Sequence, residues 1–465
     1  MKILRVFVLV LFIVCLAFTF VPEAWAFCGF YVAKADASLY NQASQVAIAR
    51  NGDRTVLTMA NDYRGEIKDF AIVVPVPVVL QENQVQVAEP KIMERLDAFS
   101  APRLVEYFDP DPCAPMLYPA APSLSMGGAS RQALEADRVR SADALGVTIE
   151  AQYTVGEYDI LMLSARESNG LETWLTQNGY RIPANARQLL RPYIRQNMKF
   201  FVAKVNLDTF ESSGYQSLRP LQIAYESPRF MLPIRLGMVN ADAAQDLIVY
   251  ILSPEGQAEV TNYRTVKIPS NTEIPVFVKE AFSDFYKSTF ETAYAKEGRN
   301  IAFLEYSWDM AGCDPCSAEP LTQEEMQQAG VFWLNSSASS DVPTGRFAPP
   351  ISRPSVFLTR LHVRYTRDRF PEDLMFHATN NHEFFQGRYI LRHPFVGEGG
   401  TVTCEAGRQY RRSLPRRFEE EAQTLARLTG WNIQEIRRKL PQINGAESLT
   451  PWLQQVWSIL RGSRE

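Results

Sequence analysis

Two cysteines separated by two residues, in the run Cys313-Asp314-Pro315-Cys316, form the sharpest chemical motif in the chain. That spacing suits a local disulfide, a redox dithiol or half of a metal site. A redox pair normally sits at a helix N-terminus, where the dipole lowers a thiol pKa. Here the next helix signal, the capping box Thr322-Gln323-Glu324-Glu325, starts six residues beyond Cys316. A second Cys-x-x-Cys to complete a zinc site is missing from the sequence. Structural bridging is therefore the expected use, with Cys404 as a third party to the pair.

All four histidines, His362, His377, His382 and His393, fall in one stretch of the chain. Neutral imidazoles that converge can hold zinc or copper, with Glu383 or Cys404 completing the set. These four are the candidate metal ligands, although their spacing matches no standard ligand pattern. His382-Glu383-Phe384-Phe385-Gln386 approaches the H-E-x-x-H zinc motif but carries Gln386 where the second ligand belongs. His362 lies in the alternating run Leu361-His362-Val363-Arg364-Tyr365, where it is expected to face solvent or bond a neighbour. The phosphate-cradling P-loop, the dinucleotide fingerprint G-x-G-x-x-G and the nucleophile elbow G-x-S-x-G do not occur. No cofactor is implied and no catalytic residue can be named.

Residues 353–417 contain twelve arginines, no lysine and six acidic residues, a net of +6. Forked guanidinium donors suit carboxylate or phosphate. Pairing with the chain's own carboxylates, including Glu419-Glu420-Glu421, is the expected use, and an anionic ligand is the alternative.

These residues must be positioned by a chain of 465 residues that is 46% hydrophobic and 22% charged, a globular composition that excludes collagen and disorder. Lys2 and Arg5, the apolar run 6–21 and the small residues Ala24 and Ala26 read as a signal peptide cleaved after Ala26. Residues 1–26 are then lost, and no other stretch is apolar and long enough to span a membrane. The expected location is outside the cytoplasm, in the periplasm or beyond the cell. The whole chain carries a net charge of −4 and the leader +1, so the remainder is −5, which argues against nucleic acid as partner. Cys28, Cys113, Cys313, Cys316 and Cys404 remain after cleavage. In an oxidising compartment they should mostly pair. We expect Cys28 with Cys113, and Cys404 with Cys313 or Cys316, one thiol being left over.

The pattern predicts an α+β fold with mixed and antiparallel sheets, peripheral helices, a helical C-terminal region and many loops. Asn51-Gly52 between two β-like runs signals a hairpin. Residues 69–77 read as a strand buried on both faces and stopped by Pro75 and Pro77. Further strands are expected over 146–153, 199–206, 221–226, 230–239, 247–252, 356–365 and 388–395. Helices are expected over 91–99, 171–178, 184–193, 279–296 and 416–429, and from Thr322. One main body over 27–440 should carry mobile inserts near 109–145 and 335–354. An amphipathic helix over 441–465 should begin with Thr450-Pro451 and present Trp452, Val456 and Trp457 on one face.

A family resemblance rests on Phe27-Cys28-Gly29-Phe30, residues 69–77, the run YESPRFMLPIRLG at 225–237, the CDPC run at 313–316, LTRLHVRY at 358–365 and QGRYILRHP at 386–394. In that order they resemble the bacterial family called domain of unknown function 2330, over roughly residues 27–440. The chain departs from it near Cys28, where Tyr31 and Val32 stand in place of a nearby second cysteine. The resemblance implies an exported bacterial protein and assigns no activity. The function expected is a non-enzymatic binding or structural protein of the cell envelope, with an unidentified protein or envelope component as partner. The alternatives are a thiol–disulfide protein using Cys313 and Cys316, and a metal-binding protein or hydrolase using the histidines.

Overall fold

The structure, a computed structural model, describes residues 30–33, 40–41, 44–60, 63–64, 70–114, 147–178, 186–213, 218–239, 244–312, 314, 319–334, 355–396 and 404–441. The leader, Cys28, Cys313, Cys316, residues 115–145, residues 335–354 and the expected C-terminal helix beyond residue 441 lie outside these residues. The fold is α+β, and the chain forms two units: Met1–Pro102 with Ser130–Ile268 and Lys296–Gly387, and Arg103–Ala129 with Pro269–Ala295 and Arg388–Glu465.

The first unit is built on a mixed nine-stranded sheet. Its local seed is the hairpin of Ser44–Asn51 and Arg54–Ala60, closed where Gly52 adopts φ +56°. The Gln245–Ser253 strand is buried at every position. It runs parallel to Ser44–Asn51 and antiparallel to Phe357–Tyr365, which pairs in turn with Ile301–Asp309. Burial on both faces explains why this strand is almost continuously apolar. The Lys91–Ser100 helix presents Ile92, Leu96 and Phe99 at helical spacing to a core that includes Tyr250, Leu252 and Tyr306. A second, antiparallel sheet of five strands packs Val73, Leu163, Phe200 and Val202 against the helices Ser168–Gln177 and Ala186–Arg195. Pro75 does not stop its strand: it lies within Phe70–Val76, opposite Phe200, and the strand ends just before Pro77.

The strand expected over 230–239 is also corrected. Only Met231–Leu232 is extended, and Arg235–Val239 is a 3-10 turn. Pro233 cannot donate to a ladder. Beyond it, the Asp373 carboxylate accepts the backbone N–H of Ile234 at 3.0 Å and of Arg235 at 3.2 Å, turning the chain away from a sheet.

In the second unit, Arg103–Phe108, Arg388–His393 and Thr272–Ile274 form a wholly parallel three-stranded sheet. Phe285, Tyr389, Leu391, Ala422 and Leu425 belong to its core. Glu405–Thr429 is one helix, capped by Cys404 at its start and by Gly430 at φ +73° at its end. It begins well before residue 416, because Pro415 lies inside the helix rather than at its first turn.

The disulfide joins Cys113 to Cys404 across a separation of 291 residues. It replaces both pairings expected for these cysteines. The cause is the parallel register that sets Phe108 opposite His393. Both chains leave the sheet at the same end, and their next cysteines meet. Loss of this bridge through Cys113→Ser with Cys404→Ser is expected to destabilise the protein by about 2–4 kcal/mol. Denaturant titration checks this: reducing agent should lower the native midpoint by more than that of the double variant.

Candidate functional site

Pairing of Gln245–Ser253 with Phe357–Tyr365 sets Asp246 opposite Arg364, Ile248 opposite His362 and Tyr250 opposite Arg360. Alternate residues share a face, so these polar side chains point to one side of the sheet. On the neighbouring Ile301–Asp309 strand the register shifts between Leu304 and Tyr306. Glu305 is the extra residue of that bulge, which aims its carboxylate at the same side. Arg360 Nε donates to Glu305 at 2.7 Å, and Arg360 Nη1 donates to Asp97 at 2.6 Å. His362 bonds Glu305 through Nδ1 at 2.8 Å and Asp246 through Nε2 at 3.2 Å. Arg364 grips Asp246 with two bonds of 2.8 and 2.7 Å.

Glu305 is fully buried and Arg360 is 7% exposed. Burial alone would lower the His362 pKa, but Glu305 and Asp246 outweigh it and raise it to about 9. Burial would likewise raise Asp246, but His362 and Arg364 hold its carboxyl well below the usual range. Arg360 is held charged by Tyr250, Glu305 and Asp97 against its own burial. An imidazolium that donates from both nitrogens has no lone pair for a metal or a proton. At neutral pH His362 is therefore a structural cation.

The other histidines have separate surroundings. His377 is exposed on the Leu374–Ala378 strand, in register with Glu259. His382 meets the Phe357 ring edge-on at 5.6 Å. In the second unit, His393 bonds Glu106 at 2.8 Å and stacks on Phe108. Glu383 pairs with Lys267 at 2.6 Å. Cys404 is in the disulfide and cannot act as a thiolate ligand or join the Cys313–Cys316 motif. Among the described residues no three His, Cys, Asp or Glu side chains are grouped to hold a metal ion. Between the two motif cysteines, Asp314 is buried, and its Oδ2 accepts from the Tyr306 hydroxyl at 3.0 Å and from Gln386 Nε2 at 2.9 Å.

Most arginines of the basic segment face internal carboxylates. Besides Arg360 and Arg364, Arg392 bonds Glu273 at 2.8 Å and Arg417 bonds Asp109 at 2.6 Å. Asp109 also takes the Tyr410 hydroxyl at 2.6 Å. Burial opposes ionisation of Asp109, but Tyr410 and Arg417 hold its carboxyl below the ordinary range. Glu421, one turn beyond Arg417, is 3% exposed and lies 3.4 Å from that guanidinium. Burial pushes its carboxyl up to about 7, only partly opposed by Arg417.

A cleft of about 260 Å³ opens in the first unit at the end of the nine-stranded sheet. The edge strand Val85–Val87 covers only Leu221, Gln222 and Ile223 of the Leu221–Glu226 strand. Val56, Val85 and Val331 line the cleft together with the amides of Asn83, Gln84, Gln86 and Gln222. Arg54 and Phe332 stand beside them, with the guanidinium 4.5 Å from the ring centroid. Gly330, at φ +97°, lets its chain approach Val56, since a Cβ there would lie 2.6 Å from Val56 Cγ1. Gln222 Nε2 donates to Thr58 Oγ1 at 2.7 Å and to the Gln328 carbonyl at 3.0 Å. A carbonyl only accepts, so this fixes the amide, and Gln222 Oε1 must accept from Gln86 Nε2. Sequence reading named none of these residues. The available signal was a glutamine set between apolar neighbours on two short strands, Val85-Gln86-Val87 and Leu221-Gln222-Ile223.

The geometry defines an α+β protein in which the central ionisable groups are bonded to one another and an amide-lined cleft stands open. The chain matches the family model described as "Uncharacterized protein conserved in bacteria (DUF2330)" over residues 22–377, and it belongs to that family. No curated protein and no solved structure matches it.

Two pH responses follow from these surroundings. The raised His362 pKa contributes stability that is present below about 6.5 and is lost as pH rises through about 9, on the order of 3 kcal/mol in all. Denaturant titrations at pH 6.5 and 9.5 should show that loss in the native chain and a much smaller one in His362→Gln. Glu421 has the same sign in a lower window: its protonated form stabilises below about 4.5, and the contribution fades as pH rises through about 7. Glu421→Gln should flatten the stability profile between pH 5 and 8, and an unchanged slope would refute the assignment.

Proposed function

We propose that the protein is exported by its bacterium and acts as a non-enzymatic binding protein of the cell envelope. The observation that carries the binding reading is the cleft beside Arg54. In the first unit the Glu305 network is occupied by its own partners, whereas Arg54 has no carboxylate partner among the described residues. Such a site holds a polar ligand without offering it a nucleophile or a general base. Export is supported by the leader pattern over residues 1–26 and by the Cys113–Cys404 disulfide, a bond that persists in oxidising compartments. No helix among the described residues is long and apolar enough to cross a membrane.

A thiol–disulfide role for Cys313 and Cys316 is a second reading. Its support is positional: Asp314 between them is anchored by Tyr306 and Gln386, which fixes the middle of the motif.

Both readings meet in one experiment. The protein is recovered from cell fractions, treated with an alkylating tag under native conditions, and weighed. The expected species lacks residues 1–26, resides outside the cytoplasm, sediments with isolated cell-wall material and keeps Cys113 and Cys404 untagged. A full-length cytoplasmic chain with both thiols tagged, or an exported chain that ignores the wall fraction, overturns the first reading. Rapid tagging of Cys313 or Cys316 in the native exported protein raises the second above it.

A further inference from the structure

The amides of the cleft are not interchangeable, because their hydrogen bonds run in a fixed direction. Gln222 is 3% exposed and anchored by Thr58 and the Gln328 carbonyl. It therefore presents Oε1 to Gln86, and Gln86 must use its Nε2 there. The Gln86 carbonyl oxygen is left as an acceptor. Gln84 is committed at both ends: its Nε2 donates to the Ala224 carbonyl at 3.0 Å and its Oε1 accepts from Gln81 N at 2.9 Å. Among its polar lining groups the cleft keeps a fixed acceptor and one remaining N–H at Gln86, an amide at Asn83 and a guanidinium at Arg54 held against Phe332.

From this donor and acceptor set we infer that the cleft binds a single carboxylate-bearing sugar ring. Hydroxyl groups both donate and accept, so they can satisfy Gln86 and Asn83 together. The carboxylate meets the forked donors of Arg54. The half-buried Phe332 ring offers its apolar surface to the C–H face of the sugar. The volume, about 260 Å³, is below the roughly 300–1,000 Å³ typical of drug-sized sites, which fits one ring and not a long oligomer. An extended peptide is a poorer match. The Ala224 carbonyl, which a strand adding to this edge would use, is already taken by Gln84. The inference rests on the binding reading above and names its ligand class.

The test is a calorimetric titration of the full chain with three small probes: the methyl glycoside of glucuronic acid, methyl glucoside and N-acetylglutamate. The expected result is binding of the glucuronide at a millimolar Kd or tighter, with methyl glucoside weaker by about tenfold or more. Arg54→Ala should cost the glucuronide about tenfold and leave the neutral sugar unaffected, whereas Gln86→Leu should weaken both sugars. Both side chains are exposed, and an unchanged thermal transition would show that the variants fold. The inference is overturned by absence of glucuronide binding, or by glucuronide binding that neither variant reduces. It is equally overturned if N-acetylglutamate binds as tightly as the glucuronide while methyl glucoside is silent, which would make the cleft a site for acidic side chains. A chain that ignores the glucuronide yet sediments with cell-wall material refutes this ligand class alone, and one that does neither refutes the binding reading as well.

Discussion

The first unit depends on the carboxylate of Glu305, which is withdrawn from water at the bulge of the Ile301–Asp309 strand. An unpaired buried carboxylate costs several kcal/mol, so Glu305 requires cations, and Arg360 and His362 supply them from the adjacent strand. Those cations require further acceptors, met by Asp97 on the Lys91–Ser100 helix and by Asp246 on the Gln245–Ser253 strand. Three acids face three bases, and each pair spans two elements. A slip of one residue would turn one strand's charges to the opposite face and strand the others. The network therefore specifies register more than it adds net stability, since well-packed apolar residues of similar volume could stabilise as much. The second unit holds its parts with Asp109 and with a covalent bond, so loop closure supplements a small core.

With these charges bonded internally, the binding proposed for the first unit draws on different chemistry. At the sheet edge the same strand logic operates with neutral amides. Gln222 is positioned by the ladder, oriented by Thr58 and the Gln328 carbonyl, and passes that orientation to Gln86. A chain of this kind fixes which atom faces the cleft without burying a charge. The rigid scaffold positions Arg54 as well, because it begins the hairpin strand that Gly52 closes.

What could be read from sequence was local, and what could not was spatial. The hairpin at Asn51-Gly52, the helix from Lys91 and the cap at Thr322 are each set by a few neighbouring residues, and each lies where its pattern put it. The Ile301–Asp309 strand escaped notice because Glu305 interrupts its apolar run, and that interruption is the feature on which the sheet depends. Arginine without lysine did signal forked pairing to carboxylates. The partners Asp97, Asp246, Glu273 and Glu305 are distant in sequence and were invisible to it. The four histidines are neighbours in the chain but sit on different strands or loops, so sequence proximity did not become convergence. The disulfide was misread for the same reason, since only parallel pairing of two remote strands brings Cys113 to Cys404.

The motifs that carried the family resemblance have a physical reading as well. Arg360, His362 and Arg364 of the LTRLHVRY run meet the Glu305 network. Asp314 of the CDPC run and Gln386 at the head of the QGRYILRHP run meet each other, and Asp314 also takes the hydroxyl of Tyr306, the residue next to Glu305. Three separate segments thus converge on one bulged strand through buried polar groups. Each such group is expensive to leave unbonded, so each tolerates only a partner of the right type at the right place. A signature of this kind marks the fold, which is why the motifs could identify the family while the residues of the cleft stayed unnamed.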